Sequence, residues 1–357
     1  MTHNILITGS SGYLGGTILA RWKSVQLPPY NTLYALVRRD DQADAVKSYG
    51  AVPLFLDLKD DAQVTHCIIK NQISIIFFLV DAYGGEHQKV MIKALKQVKD
   101  KTGHAVHFLH TTGAKQFSRH AGISTDRPLL DNDPELYNIL NSAVPPHNWF
   151  AQSVRANINV IDAAEDSGVR SYILAPCIVY GEGEGFGNRT AIQDVTIVQA
   201  AKALRRVFKV DTDNPVWPVC HVVDTARLYL QILAQILRGS DIGYGKKGFY
   251  LAASGSVYWN DIYQAFAEAL AKREIVDSAE VKQADDIVLA RIGELLGVSP
   301  SVVPVLIGGK CTFTAVHGNE IGWKAEYPPE HIIEAADAEV ELILKTLDSG
   351  DSRSSIR

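Results

Sequence analysis

Gly9, Gly12 and Gly15 recur at every third residue of ILITGSSGYLGG (residues 5–16), between an aliphatic run and a helix-like stretch. Glycine at those places permits a tight turn, lets backbone N–H groups approach a pyrophosphate, and lets helix and strand pack closely. The N-terminus of the helix adds partial positive charge for phosphates. The loop, with Ser11, Tyr13 and Leu14, therefore reads as a dinucleotide-binding loop. The next strand-like run, TLYALVRRD, ends in Arg38 and Arg39, where an NAD site commonly carries an acidic residue. Two guanidinium groups suit a 2′-phosphate through bidentate, charge-assisted bonds, so the expected cofactor is NADP(H). The alternative is a pair of solvated surface arginines before Asp40. Asp57 and Leu58, closing a third strand, are expected at the adenine edge. Leu79 and Val80, closing a fourth, are expected beside the adenosine ribose and pyrophosphate.

These residues must be held by regular elements, and the first half of the chain supplies them in alternation. Strand candidates fall at 4–8, 32–37, 52–56, 74–80, 105–110 and 171–175, with helical patterns near 13–23, 40–48, 60–71, 86–101 and 149–167. Such alternation predicts an α/β fold with a doubly wound parallel (Rossmann) sheet. Residues 111–148 carry no clear pattern, and a loop that long is usually functional. A glycine-rich stretch, GEGEGFGN (residues 181–188), follows residue 176. Helices are expected near 192–205, 222–238, 259–272, 281–296 and 329–346, around strand-like pieces at 215–221 and 248–251. The expected organisation is a dinucleotide-binding domain over 1–175, a smaller, mostly helical C-terminal substrate lobe over 176–346 partly interleaved with it, and a disordered tail over 347–357.

Composition narrows the function classes. With 35 basic and 40 acidic side chains the formal charge is −5, which gives no reason to expect nucleic acid. The strongest apolar run, SIIFFLV (residues 74–80), has strand length, so no membrane span is expected. Cys67, Cys177, Cys220 and Cys311 form no C-x-x-C pair. Free thiols, no metal site and a cytoplasmic protein acting on a small molecule are the expectation, with homo-oligomerisation left open.

ITGSSGYLGG, FFLVDA, HFLHTTGA, APCIVYGEGEGFGN and WPVCHVVDTARLYL, spread over most of residues 4–270, resemble the extended short-chain dehydrogenase/reductase superfamily, in its NAD-dependent epimerase/dehydratase-like branch. The resemblance implies that Pro176, Cys177 and Ile178 lie beside the reactive nicotinamide ring and that residues 181–188 run along the substrate cleft. It puts Thr112 at the serine or threonine position that holds the reacting carbonyl or hydroxyl. The superfamily's Tyr-x-x-x-Lys pair, however, is missing: none of the fourteen tyrosines has a lysine four residues later. Counting back from Pro176 lands on WFAQS, with Trp149 and Ser153 in the expected Tyr and Lys places. Substitutes are Lys115, three residues past Thr112; Tyr137, with Asn141 where lysine would be; and Tyr83 past the fourth strand. The walls of the cleft are expected from residues 111–148 and 181–188. The first functional expectation is an NADP-dependent reductase of a small-molecule carbonyl or imine with a non-standard proton donor. The alternatives are an NADP-bound, redox-neutral isomerase, cyclase or dehydratase and a non-catalytic NADP(H) sensor.

Overall fold

The computed structural model describes residues 2–348. Strands β1 (Asn4–Ile7), β2 (Thr32–Val37), β3 (Val52–Phe55), β4 (Ile73–Phe78) and β5 (His107–Thr111) come first; β6 (Leu129–Leu130), β7 (Arg170–Pro176) and β8 (Ile178–Tyr180) follow. Beyond them are β9 (Phe208–Lys209), β10 (Val216–His221), β11 (Phe249–Ala252), β12 (Gly255–Tyr258), β13 (Lys282–Gln283) and β14 (Phe313–Thr314). Seven of these form one parallel sheet in the order β11-β7-β5-β4-β1-β2-β3. The chain winds outward in both directions from β1 and β4, and a crevice opens there past their carboxyl ends, where doubly wound folds bind ligands. A second sheet, β12-β10-β8, continues from β7 through Cys177.

Helices α1 (Tyr13–Arg21), α2 (Asp40–Ser48), α3 (Asp61–Lys70), α4 (Glu86–Thr102), α5 (Leu136–Ser142), α6 (Ala151–Ser167), α7 (Ile192–Leu204), α8 (Val222–Arg238) and α9 (Trp259–Lys272) follow in chain order. α1 packs with α8, and α4 packs with α3 and α6. Because both faces of the sheet are covered, β4 reads ISIIFF and every residue in it is buried. Edge strand β3 instead carries Pro53, which can donate no ladder hydrogen bond, and exposes Val52 and Phe55.

The structure departs from the sequence reading mainly outside the sheet. The stretch 111–148 holds β6, α5 and two 3-10 turns rather than plain loop. Lys282 and Gln283 pair as β13, and the following helix starts only at Asp286, where the Asp285 carboxylate accepts the Val288 N–H. The last helical stretch splits into His331–Glu334 and Ala336–Asp348. Leu347 and Asp348, expected in the tail, close that last helix, and the rest of the expected tail lies outside the described residues. No single helix among the described residues is long and apolar enough to cross a membrane.

Candidate active site and cofactor groove

The glycine loop folds tightly where β1 meets α1. Gly9 has φ +67°, and a Cβ there would stand 3.1 Å from the Leu79 carbonyl oxygen. A Cβ on Gly15 would overlap the Gly9 carbonyl oxygen and lie 2.9 Å from its carbon. The loop is pinned from below: the Thr8 hydroxyl donates to the Phe77 carbonyl (3.2 Å) and accepts the Leu79 N–H (2.9 Å). Gly12 is the N-cap of α1, and no side chain caps that end. Its N–H groups are thus left for an outside acceptor, which is what a phosphate site needs.

A cavity of about 680 Å³ opens beside this loop, lined among others by Gly9, Ser11, Arg38, Asp57, Leu58 and Val80. Six of the residues singled out by sequence as cofactor contacts therefore meet in one place. Arg39 does not line it, because its guanidinium is turned onto Asp41 through two bonds of 2.8 and 2.7 Å. Sequence reading also missed Gln42, a buried lining residue. Its Oε1 accepts the Arg38 N–H (2.9 Å) and its amide donates to Ser11 Oγ (3.3 Å), which ties the end of β2 to the glycine loop. Its place four residues past Arg38, in the first turn of α2, was the available signal. Lys59 lines the same cavity.

Residues 181–188 lie on α1 rather than along an open cleft. Asn188 N–H donates to the Ser11 carbonyl (3.0 Å), the Tyr13 hydroxyl to the Gly181 carbonyl (2.6 Å), and Glu184 N–H to Thr17 Oγ1 (3.2 Å). Arg21 pairs with Glu184 through two bonds. A Cβ on Gly185 would come within 2.5 Å of the Gly16 Cα, and one on Gly183 within 2.8 Å of the Tyr13 ring. Alternate glycines thus let this strap lie flat on the helix. The expected cleft wall is, by contact, the outer cover of the first turns of α1.

At the other end of the crevice the groups are buried. Thr112 follows β5; its N–H donates to the Leu174 carbonyl (2.8 Å), while its hydroxyl is buried with no partner. Pro176 ends β7 beside Ala252, and Ile178 is buried in β8 opposite Val219. Lys115 sits in the 3-10 turn Ala114–Phe117. Desolvation lowers its ammonium to a pKa of about 8, and no carboxylate pairs with it among the described residues. Sequence reading did not find several other buried polar groups on β5, α4 and α6. Alternation along β5 puts His110 and Thr112 on one face, while Thr111 bonds the Tyr229 hydroxyl of α8 at 2.9 Å on the other. Both His110 ring nitrogens, Gln88 Oε1 of α4 and Asn157 Oδ1 of α6 are buried without partners. Burial lowers His110 to a pKa of about 4, so it is neutral near pH 7.

The tyrosine candidates do not join these residues. Tyr137 donates to Asp162 (2.5 Å), and Lys246 stands 4.7 Å over its ring. Lys246 lies in the turn just before β11, so Tyr137 sits toward the amino ends of the strands, opposite the crevice. The same displacement corrects the expectation that all of 111–148 walls the cleft. The Asp131 carboxylate accepts the N–H groups of Leu251, Val316 and His317, and this fastens the second half of the segment along β11. Tyr83 is 53 % exposed in the bend after β4, held by its backbone N–H on Asp81 (2.8 Å). Trp149 is 46 % exposed in a 3-10 turn and stacks on His147, while Ser153 is buried in α6.

The fold is shared with known proteins. The profile of the NAD dependent epimerase/dehydratase family matches residues 5–243, and the chain belongs to that family. No curated protein matches it by sequence. Among solved structures it is similar to dTDP-glucose 4,6-dehydratase from Bacillus anthracis in complex with NAD, with TM-score 0.63, 11 % identity, and 96 % of this chain and 97 % of that one covered. UDP-glucose 4-epimerase from Thermotoga maritima, with UDP-glucose, matches at TM-score 0.61 and 14 % identity over 96 % and 99 %. UDP-N-acetylglucosamine 4-epimerase from Methanobrevibacter ruminantium, with UDP-N-acetylmuramic acid, matches at TM-score 0.62 and 13 % identity over 97 % and 100 %. At these identities the likeness is one of fold.

Proposed function

We propose that the protein is an NADP(H)-dependent reductase that acts on the carbonyl or imine of a small molecule. The observations that carry this reading are a buried, unpartnered Thr112 hydroxyl and, three residues on, a Lys115 ammonium that no carboxylate among the described residues neutralises. The hydroxyl can hold the reacting oxygen or nitrogen. The ammonium, with a pKa near 8, is charged at neutral pH yet gives up its proton more readily than an ordinary lysine, which suits a general acid. When bound, the nicotinamide supplies the hydride. Arg38, lining the cavity beside the glycine loop, favours a 2′-phosphate on the adenosine ribose.

Titration of the purified protein with NADPH and NADH, followed by a panel of activated carbonyl and imine compounds, tests the reading. Preferred NADPH binding and loss of its near-ultraviolet absorbance on adding a substrate are expected. Equal or weaker NADPH binding sinks the cofactor assignment. A second reading, a redox-neutral step on a tightly held cofactor, is favoured by Trp149 and Ser153 in the Tyr and Lys places and by likeness to 4-epimerases and a 4,6-dehydratase. Substrate conversion without net NADPH consumption would select it.

A further inference from the structure

Two carboxyl groups are buried beneath the strap, between α7 and the helix Ala336–Asp348. Neither oxygen of Asp194 has a hydrogen-bond partner. Glu339 has one unpartnered oxygen, and its other accepts the Gly181 N–H at 2.9 Å. Gly181 stands in the left-handed region at φ +91°, and its carbonyl accepts the Tyr13 hydroxyl at 2.6 Å. Glu339 therefore holds the point at which the strap meets the first residue of α1.

No lysine, arginine or histidine among the described residues bonds either carboxyl. Tyr13 of α1 and Glu182 of the strap act on the pair, and the His221 ring lies against Gly181. The arginines of the neighbouring elements are committed elsewhere: Arg189 to Glu182 (2.8 Å), Arg21 to Glu184, and Arg273 to Asp337 (2.6 Å). An ionised carboxylate buried without a counter-charge is costly, and two side by side are more so. The site is stable with protons on it.

We propose that Asp194 and Glu339 form a proton-locked clasp, which keeps the strap 181–188 seated on α1 while protonated and releases it on ionisation, so that Glu339 is a positioning residue for the cofactor groove. The last clause rests on the reading of the N-terminus of α1 as the cofactor site. Burial pushes Glu339 up to about 7 and raises Asp194 as well. An acid whose pKa is raised in the closed state and ordinary in the open one favours closure at low pH. Opening then grows with rising pH from the ordinary carboxylate range through about pH 7.

Hydrogen exchange of the full chain, corrected for intrinsic rates, reads this directly in residues 181–188. In the wild type, protection should fall as pH rises from the ordinary carboxylate range through about 7. Glu339→Gln, which keeps an acceptor for Gly181 N–H but cannot ionise, should reduce the slope, and so should Asp194→Asn. A wild-type strap whose protection ignores pH, or an undiminished slope in Glu339→Gln, overturns the clasp; if a variant fails to fold, the wild-type slope alone decides. NADP(H) affinity, measured by calorimetry in parallel, should weaken with pH over the same window more in wild type than in Glu339→Gln. Identical weakening in both overturns the link to the groove. A responsive strap on a protein that binds no NADP(H) at any pH refutes the cofactor reading and leaves the clasp standing.

Discussion

At the β1–β2–β3 end of the crevice the lining is backbone, apolar side chains, the amides of Gln42 and Gln63, the Asp57 carboxylate and the cations Arg38 and Lys59, around an open cavity of about 680 Å³. At the β5–β7 end a hydroxyl, an imidazole and two side-chain amides are buried with unpartnered polar atoms, and Lys115 is half-buried. The first end is open to water, so its polar groups are solvated. At the second, every unpartnered buried polar atom costs free energy. Glycine serves α1 in two ways: in residues 9–15 it makes the tight turn into the helix, and in residues 181–187 it lets a second segment lie along the helix.

The comparison breaks most completely if the bare loop cannot form. In Gly15→Ala the new methyl would overlap the Gly9 carbonyl oxygen, a backbone atom that cannot swing aside. A loss of about 3 kcal/mol, at the upper end of overpacking costs, is expected in denaturant unfolding, with NADPH binding lost in whatever folds. Wild-type affinity in this variant would mean that the cofactor does not use the loop.

The reacting end gives the next largest effect, with the opposite sign on stability. Lys115→Met removes a desolvated ammonium from the interior. The folded-state pKa of Lys115, about 8, lies below its ordinary value of 10.5, so the unfolded chain binds the extra proton between those limits. Wild-type stability should therefore rise as pH climbs from about 8 to 10.5, and Lys115→Met should lack that rise. At pH 7 the variant should be more stable by about 2–3 kcal/mol while losing turnover. Lower stability would show that the ammonium has a partner in solution.

What could be read in the sequence divides along the same line. The sheet, its winding and the cavity end are local: a glycine spacing, a strand and its terminal residues fix them within a few dozen positions. β4 and α1 were legible because one is continuously apolar and the other opens on the glycine loop. The reacting end is assembled from distant positions. Asn157 meets Gln116 across 41 residues, and Asp131 draws its segment to β11 across 120. No periodicity announces such pairs. Tyr137 had acceptable spacing and landed at the wrong edge of the sheet, held there by Asp162. The alternate glycines of 181–188 were visible as a pattern, but their use depends on the helix they cover.

The smallest effect sharpens the binding end by separating two adjacent arginines that sequence alone treats as a pair. Arg38 lines the cavity, whereas Arg39 spends its guanidinium on Asp41 at the surface. Arg38→Ala should weaken NADPH binding by about 1.5–3 kcal/mol, the worth of a charge-assisted contact, and leave NADH binding nearly unchanged. Arg39→Ala should change either affinity by well under 1 kcal/mol, because a solvent-exposed ion pair contributes little and its loss frees no cavity residue. Gln42→Ala falls between them: it removes the acceptor that fixes the Arg38 backbone and the donor to Ser11, so it should cost part of the same preference without removing charge. Calorimetric titration of the three variants with both cofactors ranks them. If Arg39→Ala proves as damaging as Arg38→Ala, the Asp41 pair opens on binding and both guanidiniums reach the phosphate. If neither matters, Lys59 on the opposite wall is the remaining cation of the cavity lining to test.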